Sequence, residues 1–259
     1  MKYFFSRSQR DIHDSLRKPK TLFAFDFDGT LAPIVKDHRD AKLSKSTRRL
    51  LSDLAKVSAV AVISGRSVSD LRSLIKIKKV ILVGNHGLEG LEISSAARKV
   101  AQQLSRQWRS QLSSQWKPFQ KDPGVILEDK IFTLALHYRR SKNKSRARKQ
   151  LLTMIKNLNP SPRLVFGKCI INIIPHGAPH KGTALLEIMR RSQALRGVFV
   201  GDDDNDEDAF RIRSRRLISI RVKKKKASYA KFFVKSQGEV KDILSLTLDR
   251  LEKVESLKR

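Results

Sequence analysis

Short apolar runs at residues 21–25, 59–63, 80–83 and 197–200 are the feature that most constrains this chain, because each is apolar along nearly its whole length. A strand of that kind must be buried on both faces, whereas a half-exposed strand would alternate polar and apolar residues. Between the runs the period changes to that of a helix. Leu43, Leu50, Leu51 and Leu54 form one apolar stripe over residues 44–57, with Lys45, Arg48 and Arg49 outside it, and Leu71, Leu74 and Ile75 mark a second helix. Strands buried on both faces and alternating with helices predict a parallel sheet covered by helices on each side.

The middle of the chain departs from that pattern. Strands are predicted at 88–93, 125–127, 132–138, 163–166 and 169–174, with helices at 96–116 and 145–158. Strands bunched in pairs beside two helices imply an α+β insertion with an antiparallel sheet. After the loop-forming Pro175, His176, Gly177, Ala178 and Pro179 the first pattern resumes, with a helix at 183–190, the strand at 197–200, an acidic turn, a helix near 207–212, a strand at 217–220 and a last helix from Glu239. The predicted fold class is therefore α/β, a doubly wound, Rossmann-like parallel-sheet core from residues 1–87 and 178–259. An inserted α+β domain at 88–177 interrupts it.

Lysine and arginine number 55 against 25 acidic residues, a formal charge of +30. Nucleic acid, anionic membrane and phosphorylated small molecules are all compatible partner classes, and a salt-sensitive, non-specific affinity for polyanions is expected. The run Lys223 to Lys226 has no accompanying nucleic-acid-binding motif and few aromatics, so it reads as a solvated basic surface. No apolar run is long enough for a bilayer span, and the first residues hold no apolar signal region. The single cysteine, Cys169, reads as a buried thiol and excludes an internal disulfide. A cytoplasmic protein without a membrane partner is the expectation.

Four clusters carry chemistry. Asp26 and Asp28 follow the first strand with Phe27 between them, so alternation puts both carboxylates on one side at the carboxyl end of the sheet. Two adjacent like charges call for a cation, a shared proton, or both. A second acidic stretch, Gly201 to Asp208, follows the strand at 197–200; its oxygen ligands, with no Cys/His cluster, imply Mg²⁺. Ser64, Gly65 and Arg66 close another strand at a helix start, where a hydroxyl and a backbone amide suit phosphate oxygens. Lys181 begins a helix and supplies an ammonium able to neutralise a phosphoryl group.

These clusters belong to the segments DFDGTL (26–31), ISGR (63–66), GNHGLE (84–89), EDK (128–130), LALHYR (134–139), HKGTAL (180–185) and GDDDNDEDAF (201–210). In that order the chain resembles the haloacid dehalogenase superfamily and, within it, the trehalose-6-phosphate phosphatase family, over about residues 21–251. The resemblance implies Mg²⁺-dependent hydrolysis of trehalose 6-phosphate through an aspartyl-phosphate on Asp26. Asp28 would be general acid and base, and its backbone carbonyl would join Asp26 and Asp202 around Mg²⁺, with Asp206 and Asp203 as auxiliary partners of the ion. Ser64 and Lys181 would hold the phosphoryl oxygens. The insertion would be the cap that selects the sugar, using Glu128 and Lys130. Arg66 is assigned to phosphate or substrate, with an exposed arginine at a helix start as the other reading, and His86 to substrate, with a structural turn as the other.

The family's third sugar-binding residue, a Glu, falls on Asn172, and its usual Arg falls on Ile174. That departure keeps a second reading open, a related phosphatase for another sugar phosphate such as a sucrose, glucosylglycerol or mannosylglycerate precursor. A third is a non-catalytic polyanion-binding protein on this scaffold. Trp108 and Trp116 are expected in the core of the insertion, and a monomer is expected.

Overall fold

The structure, a computed structural model, describes residues 1–256 apart from Arg17, Lys36, His38, Arg39 and Ile93, and the chain divides into two units, Met1–Gly90 with His180–Arg259, and Leu91–Pro179. In the first unit, β1 (Lys2–Tyr3), β2 (Thr21–Phe25), β3 (Ala59–Ile63) and β4 (Ile81–Val83) precede the insertion. The strands β9 (Arg196–Gly201), β10 (Leu217–Val222) and β11 (Phe232–Val234) follow it. All seven pair in parallel, in the order β1-β11-β10-β9-β2-β3-β4. The apolar character of these strands is matched by their burial. Phe23 and Phe25 of β2, Val60 and Val62 of β3 and Val198 and Val200 of β9 share one core cluster. Of the helices α1 (Arg10–Ser15), α2 (Lys45–Val57), α7 (Glu207–Phe210) and α8 (Glu239–Ser256) in this unit, α2 adds Leu51 and Leu54 and α8 adds Ile243 and Leu244 to the same cluster. Each fully buried Phe or Leu side chain contributes roughly 1.5–3 kcal/mol over an exposed one.

Helix starts follow local chemistry. Ser44 Oγ accepts from Thr47 N at 3.0 Å to begin α2, and Ser67 Oγ accepts from Asp70 N at 3.2 Å to begin α3 (Val68–Ile75). The helix α6 (Lys181–Arg191) begins at His180, whose Nδ1 accepts from Gly182 N and Thr183 N while its own N–H donates to Thr183 Oγ1. That capping box sets Lys181 at the first helical position.

In the second unit β5 (Ile126–Asp129), β6 (Leu134–His137), β7 (Arg163–Gly167) and β8 (Ile170–Ile174) form an antiparallel sheet in the order β5-β6-β8-β7. Leu134, Leu136, Ile171 and Ile173 share a core with Trp108 and Leu112 of α4 (Ser95–Ser114) and with Leu151 and Met154 of α5 (Lys144–Lys156). Trp108 is fully buried and its indole N–H donates to Pro160 O at 2.6 Å. Trp116 packs against the same cluster.

Two sequence expectations need correction. The described part of the strand predicted at 88–93 is instead a turn, because Gly90 adopts φ +87° with no room for a Cβ beside Leu82 O, and Glu89 accepts from Asn85 Nδ2 and Val68 N; Ile93 lies outside the described residues. Cys169 is half-buried at the β7–β8 turn with φ 63°, not inside a strand. The edge strand β1 and its neighbour β11 add to the sheet beyond the strands read from the sequence.

Candidate active site

Strand order reverses at β2, which has β9 on one side and β3 on the other. Such a switch point opens a crevice at the carboxyl ends of the strands. Asp26 is the first residue after β2 and Asp202 the first after β9, and the strands are still in register there, Asp26 N donating to Val200 O at 2.8 Å. Ser64 leaves β3 at the same edge, its N–H on Val83 O. Gly29 makes the close approach possible: at φ +87°, a Cβ there would lie 2.3 Å from the Asp202 carboxylate.

Lys181 ties this edge together. Its ammonium, 1% exposed, donates to Asp26 Oδ1 and to Asp206 Oδ1, both at 2.7 Å. Asp206 Oδ2 in turn accepts from the backbone N–H groups of Asp202 (2.8 Å) and Asp203 (2.9 Å), so the acidic turn folds around it. Beneath the turn Arg221 of β10 donates to Asp202 O, Asp203 O and Glu207 Oε1. Arg221 was missed in the sequence; its only signal is a charge inside the otherwise uncharged strand ending at Val222.

Burial pushes the Asp26 carboxyl well above its ordinary pKa; Lys181 opposes this, and Asp206 and Asp202 reinforce it. Burial alone would draw the Lys181 ammonium down, but Asp206 and Asp26 outweigh it and hold the lysine charged. Asp26, Asp202 and Asp206 can each offer one carboxylate oxygen within 4.8 Å of the others. Three buried carboxylates against one ammonium leave two negative charges when all are ionised. A set of oxygen donors with that excess fits a hard divalent cation. Asp206 already has donors on both oxygens, which makes it a partner of Lys181 and of the turn as much as a ligand.

Asp28 does not join that carboxylate group. Alternation does turn it away from Phe27, which is fully buried, but its two oxygens accept a fork from Arg66, Nε to Oδ2 at 2.7 Å and NH2 to Oδ1 at 2.8 Å. Arg66 also donates through NH1 to Asp70 Oδ2 at 2.6 Å, and its guanidinium carbon lies 5.3 Å from the centre of the Phe27 ring. The arginine expected at substrate is thus buried among protein groups. Ser64 is buried, with its Oγ accepting from Arg66 N at 3.2 Å. His86 stands behind this loop: its N–H donates to Ser64 O at 3.0 Å and its ring would sit 2.7 Å from a Cβ on Gly65.

Glu128, Lys130 and Asn172 belong to the second unit. Cross-strand register aligns Glu128, Ala135, Asn172 and Val165 in one row, on the face opposite the helix-packed Leu134, Leu136, Ile171 and Ile173. Glu128 Oε2 lies 2.6 Å from His137 Nε2 and 3.7 Å from Lys130 Nζ, while Asn172 Nδ2 donates to Val165 O at 3.2 Å.

A doubly wound core with aspartates at the ends of two adjacent central strands, a lysine at a helix start and an inserted antiparallel domain defines the haloacid dehalogenase class of fold. The family model described as trehalose-phosphatase matches residues 24–238, and the chain belongs to that family. Trehalose-phosphate phosphatase of Mycobacterium tuberculosis is 30% identical over 209 residues, 77% of this chain and 53% of the relative. The chain thus spans about half the length of that protein. Probable trehalose-phosphate phosphatase H of Arabidopsis thaliana is 30% identical over 247 residues, 85% of this chain and 70% of its own. Among solved structures, the C-terminal domain of C. albicans trehalose-6-phosphate phosphatase superposes with TM-score 0.72 at 22% identity, covering 93% of this chain and 96% of the domain. That likeness speaks to the fold alone. No described helix is long and apolar enough to cross a membrane.

Proposed function

We propose that this chain is a phosphatase that hydrolyses trehalose 6-phosphate through a covalent phosphoenzyme on Asp26. The observation that carries the reading is the buried Asp26–Lys181–Asp206 chain beside Asp202, at the switch point of a trehalose-phosphatase family fold.

A carboxylate oxygen of Asp26 attacks phosphorus, and the bond from phosphorus to the sugar oxygen breaks. Asp28 gives its proton to that departing oxygen. In the second step Asp28 takes a proton from a water whose oxygen attacks phosphorus, releasing inorganic phosphate and restoring Asp26. Lys181 holds the attacking carboxylate in place and offers positive charge to the phosphoryl oxygens, which carry the charge of the transition state. Ser64, beside the start of α3, hydrogen-bonds a phosphoryl oxygen. Asp26, Asp202 and the carbonyl of Asp28 would hold Mg²⁺, with Asp206 supporting them. When bound, that ion neutralises charge on the nucleophile and the phosphoryl group.

Sugar recognition is assigned to the row of polar groups in the second unit. Glu128 accepts from hydroxyls, Lys130 donates to them, and Asn172 offers an uncharged amide where the family carries Glu. Sites of this kind discriminate through the buried polar groups a wrong ligand leaves unpaired. Phosphate release from a panel of sugar phosphates, assayed with Mg²⁺, tests the assignment: trehalose 6-phosphate should turn over fastest. Turnover no faster than that of glucose 6-phosphate would leave a phosphatase of another sugar phosphate, the reading that Asn172 favours.

A further inference from the structure

We propose that Asp70 is a positioning residue for proton transfer, holding Arg66 in place so that Arg66 fixes the carboxylate of Asp28. The inference rests on the reading of Asp28 as the group that protonates the leaving sugar oxygen.

Arg66 is 6% exposed, and each of its three nitrogen positions has a carboxylate partner. Two of them form the fork on Asp28, which fixes both the position and the plane of that carboxylate. Each carboxylate oxygen keeps a further lone pair, so a forked Asp28 can still exchange a proton with a sugar oxygen or a water. The third nitrogen is held by Asp70, and Phe27 closes the face of the guanidinium at 5.3 Å. Because Phe27 lies between Asp26 and Asp28 in the chain, one arginine packs against the segment that carries both.

The need for Asp70 follows from charge. A phosphate dianion entering beside Asp26 attracts the Arg66 guanidinium, and an arginine held by Asp28 alone would turn toward it and take the carboxylate along or release it. Asp70 pulls from the other side. It occupies the first turn of α3, its backbone N–H bonded to Ser67 Oγ, so its carboxylate is anchored to a rigid element that does not take part in the chemistry. A misplacement of a reacting group by about 1 Å costs roughly 100-fold in rate.

The test compares single-turnover phosphoenzyme formation from trehalose 6-phosphate with that from p-nitrophenyl phosphate, whose leaving group needs no proton. Asp70→Ala should slow the first reaction by about 10- to 100-fold and the second by under about threefold. Asp28→Asn should show the same selectivity more strongly, roughly 10²- to 10⁴-fold on trehalose 6-phosphate. A Ser69→Asp, Asp70→Ala double variant restores an acid to the first turn of α3 without restoring the partner of Arg66; it should recover helix stability yet keep the kinetic defect. If Asp28→Asn is selective while Asp70→Ala slows both substrates equally or neither, or if the double variant recovers full rate, the role of Asp70 is overturned. If Asp28→Asn itself shows no selectivity, the reading of Asp28 fails first.

Discussion

Lys181 Nζ lies 2.7 Å from Asp26 Oδ1, and the lysine reaches that oxygen from the first residue of a helix 155 positions further along the chain. The contact joins the two halves of a core that the insertion separates in sequence. It also leaves Asp26 and Asp206 dependent on one buried cation.

Lys181→Met should therefore damage both activity and folding. Removing a cation aimed at the phosphoryl oxygens costs about 10²- to 10³-fold in kcat. Breaking a buried ion pair on one side costs roughly 3–5 kcal/mol, because the partners remain as uncompensated charges. Steady-state kinetics and thermal melting of the variant measure the two effects separately.

Asp26→Asn should abolish turnover and stabilise the metal-free protein. Burial raises the folded pKa of Asp26 above its unfolded value, so its contribution to stability is full below the unfolded pKa, about 3.9, and is lost as pH rises through the folded one. Asparagine has no such loss. In EDTA the melting temperature of the variant should match wild type near pH 4 and exceed it at neutral pH.

Adding Mg²⁺ should reverse that ranking. An ion that binds the folded chain stabilises it by about 2.7 kcal/mol at 100 times its Kd. Wild-type protein should gain several degrees with millimolar Mg²⁺, and Asp26→Asn or Asp202→Asn markedly less. Melting curves with and without the ion report this with no activity assay.

Glu128→Ala should raise KM for trehalose 6-phosphate by about 10-fold or more, since a hydrogen bond to a charged group contributes roughly 1.5–3 kcal/mol. The kcat/KM for p-nitrophenyl phosphate, which offers no sugar hydroxyl, should change by under about twofold. The same substitution removes a partner of His137 and Lys130, so circular dichroism of the variant should accompany the kinetics.

Much of the architecture was legible because chemistry and period coincide. Asp26 and Asp202 end apolar strands buried on both faces, and the same runs that define the sheet locate its carboxyl edge. Lys181 was legible as a lysine beginning a helix, but the resemblance was what singled it out, since lysine is common in this chain. The directions of long side chains were not legible. Arg66 follows a strand as a phosphate ligand would, yet the carboxylates of Asp28 and Asp70 claim its guanidinium. Arg221 sits beside the basic run from Lys223, where its charge reads as solvent-facing. Two- and three-residue strands such as β1 and β11 are shorter than any window in which period can be counted, and they exist because a neighbouring strand pairs with them.

The most direct measurement is to trap the phosphoenzyme. Borohydride added during turnover of trehalose 6-phosphate reduces an aspartyl-phosphate to homoserine, which mass spectrometry of the peptide containing residues 21–42 locates. Homoserine at position 26 is the expected result, absent without substrate and absent in Asp26→Asn. Steady phosphate release with position 26 unmodified, or modification at a different carboxylate, would contradict it.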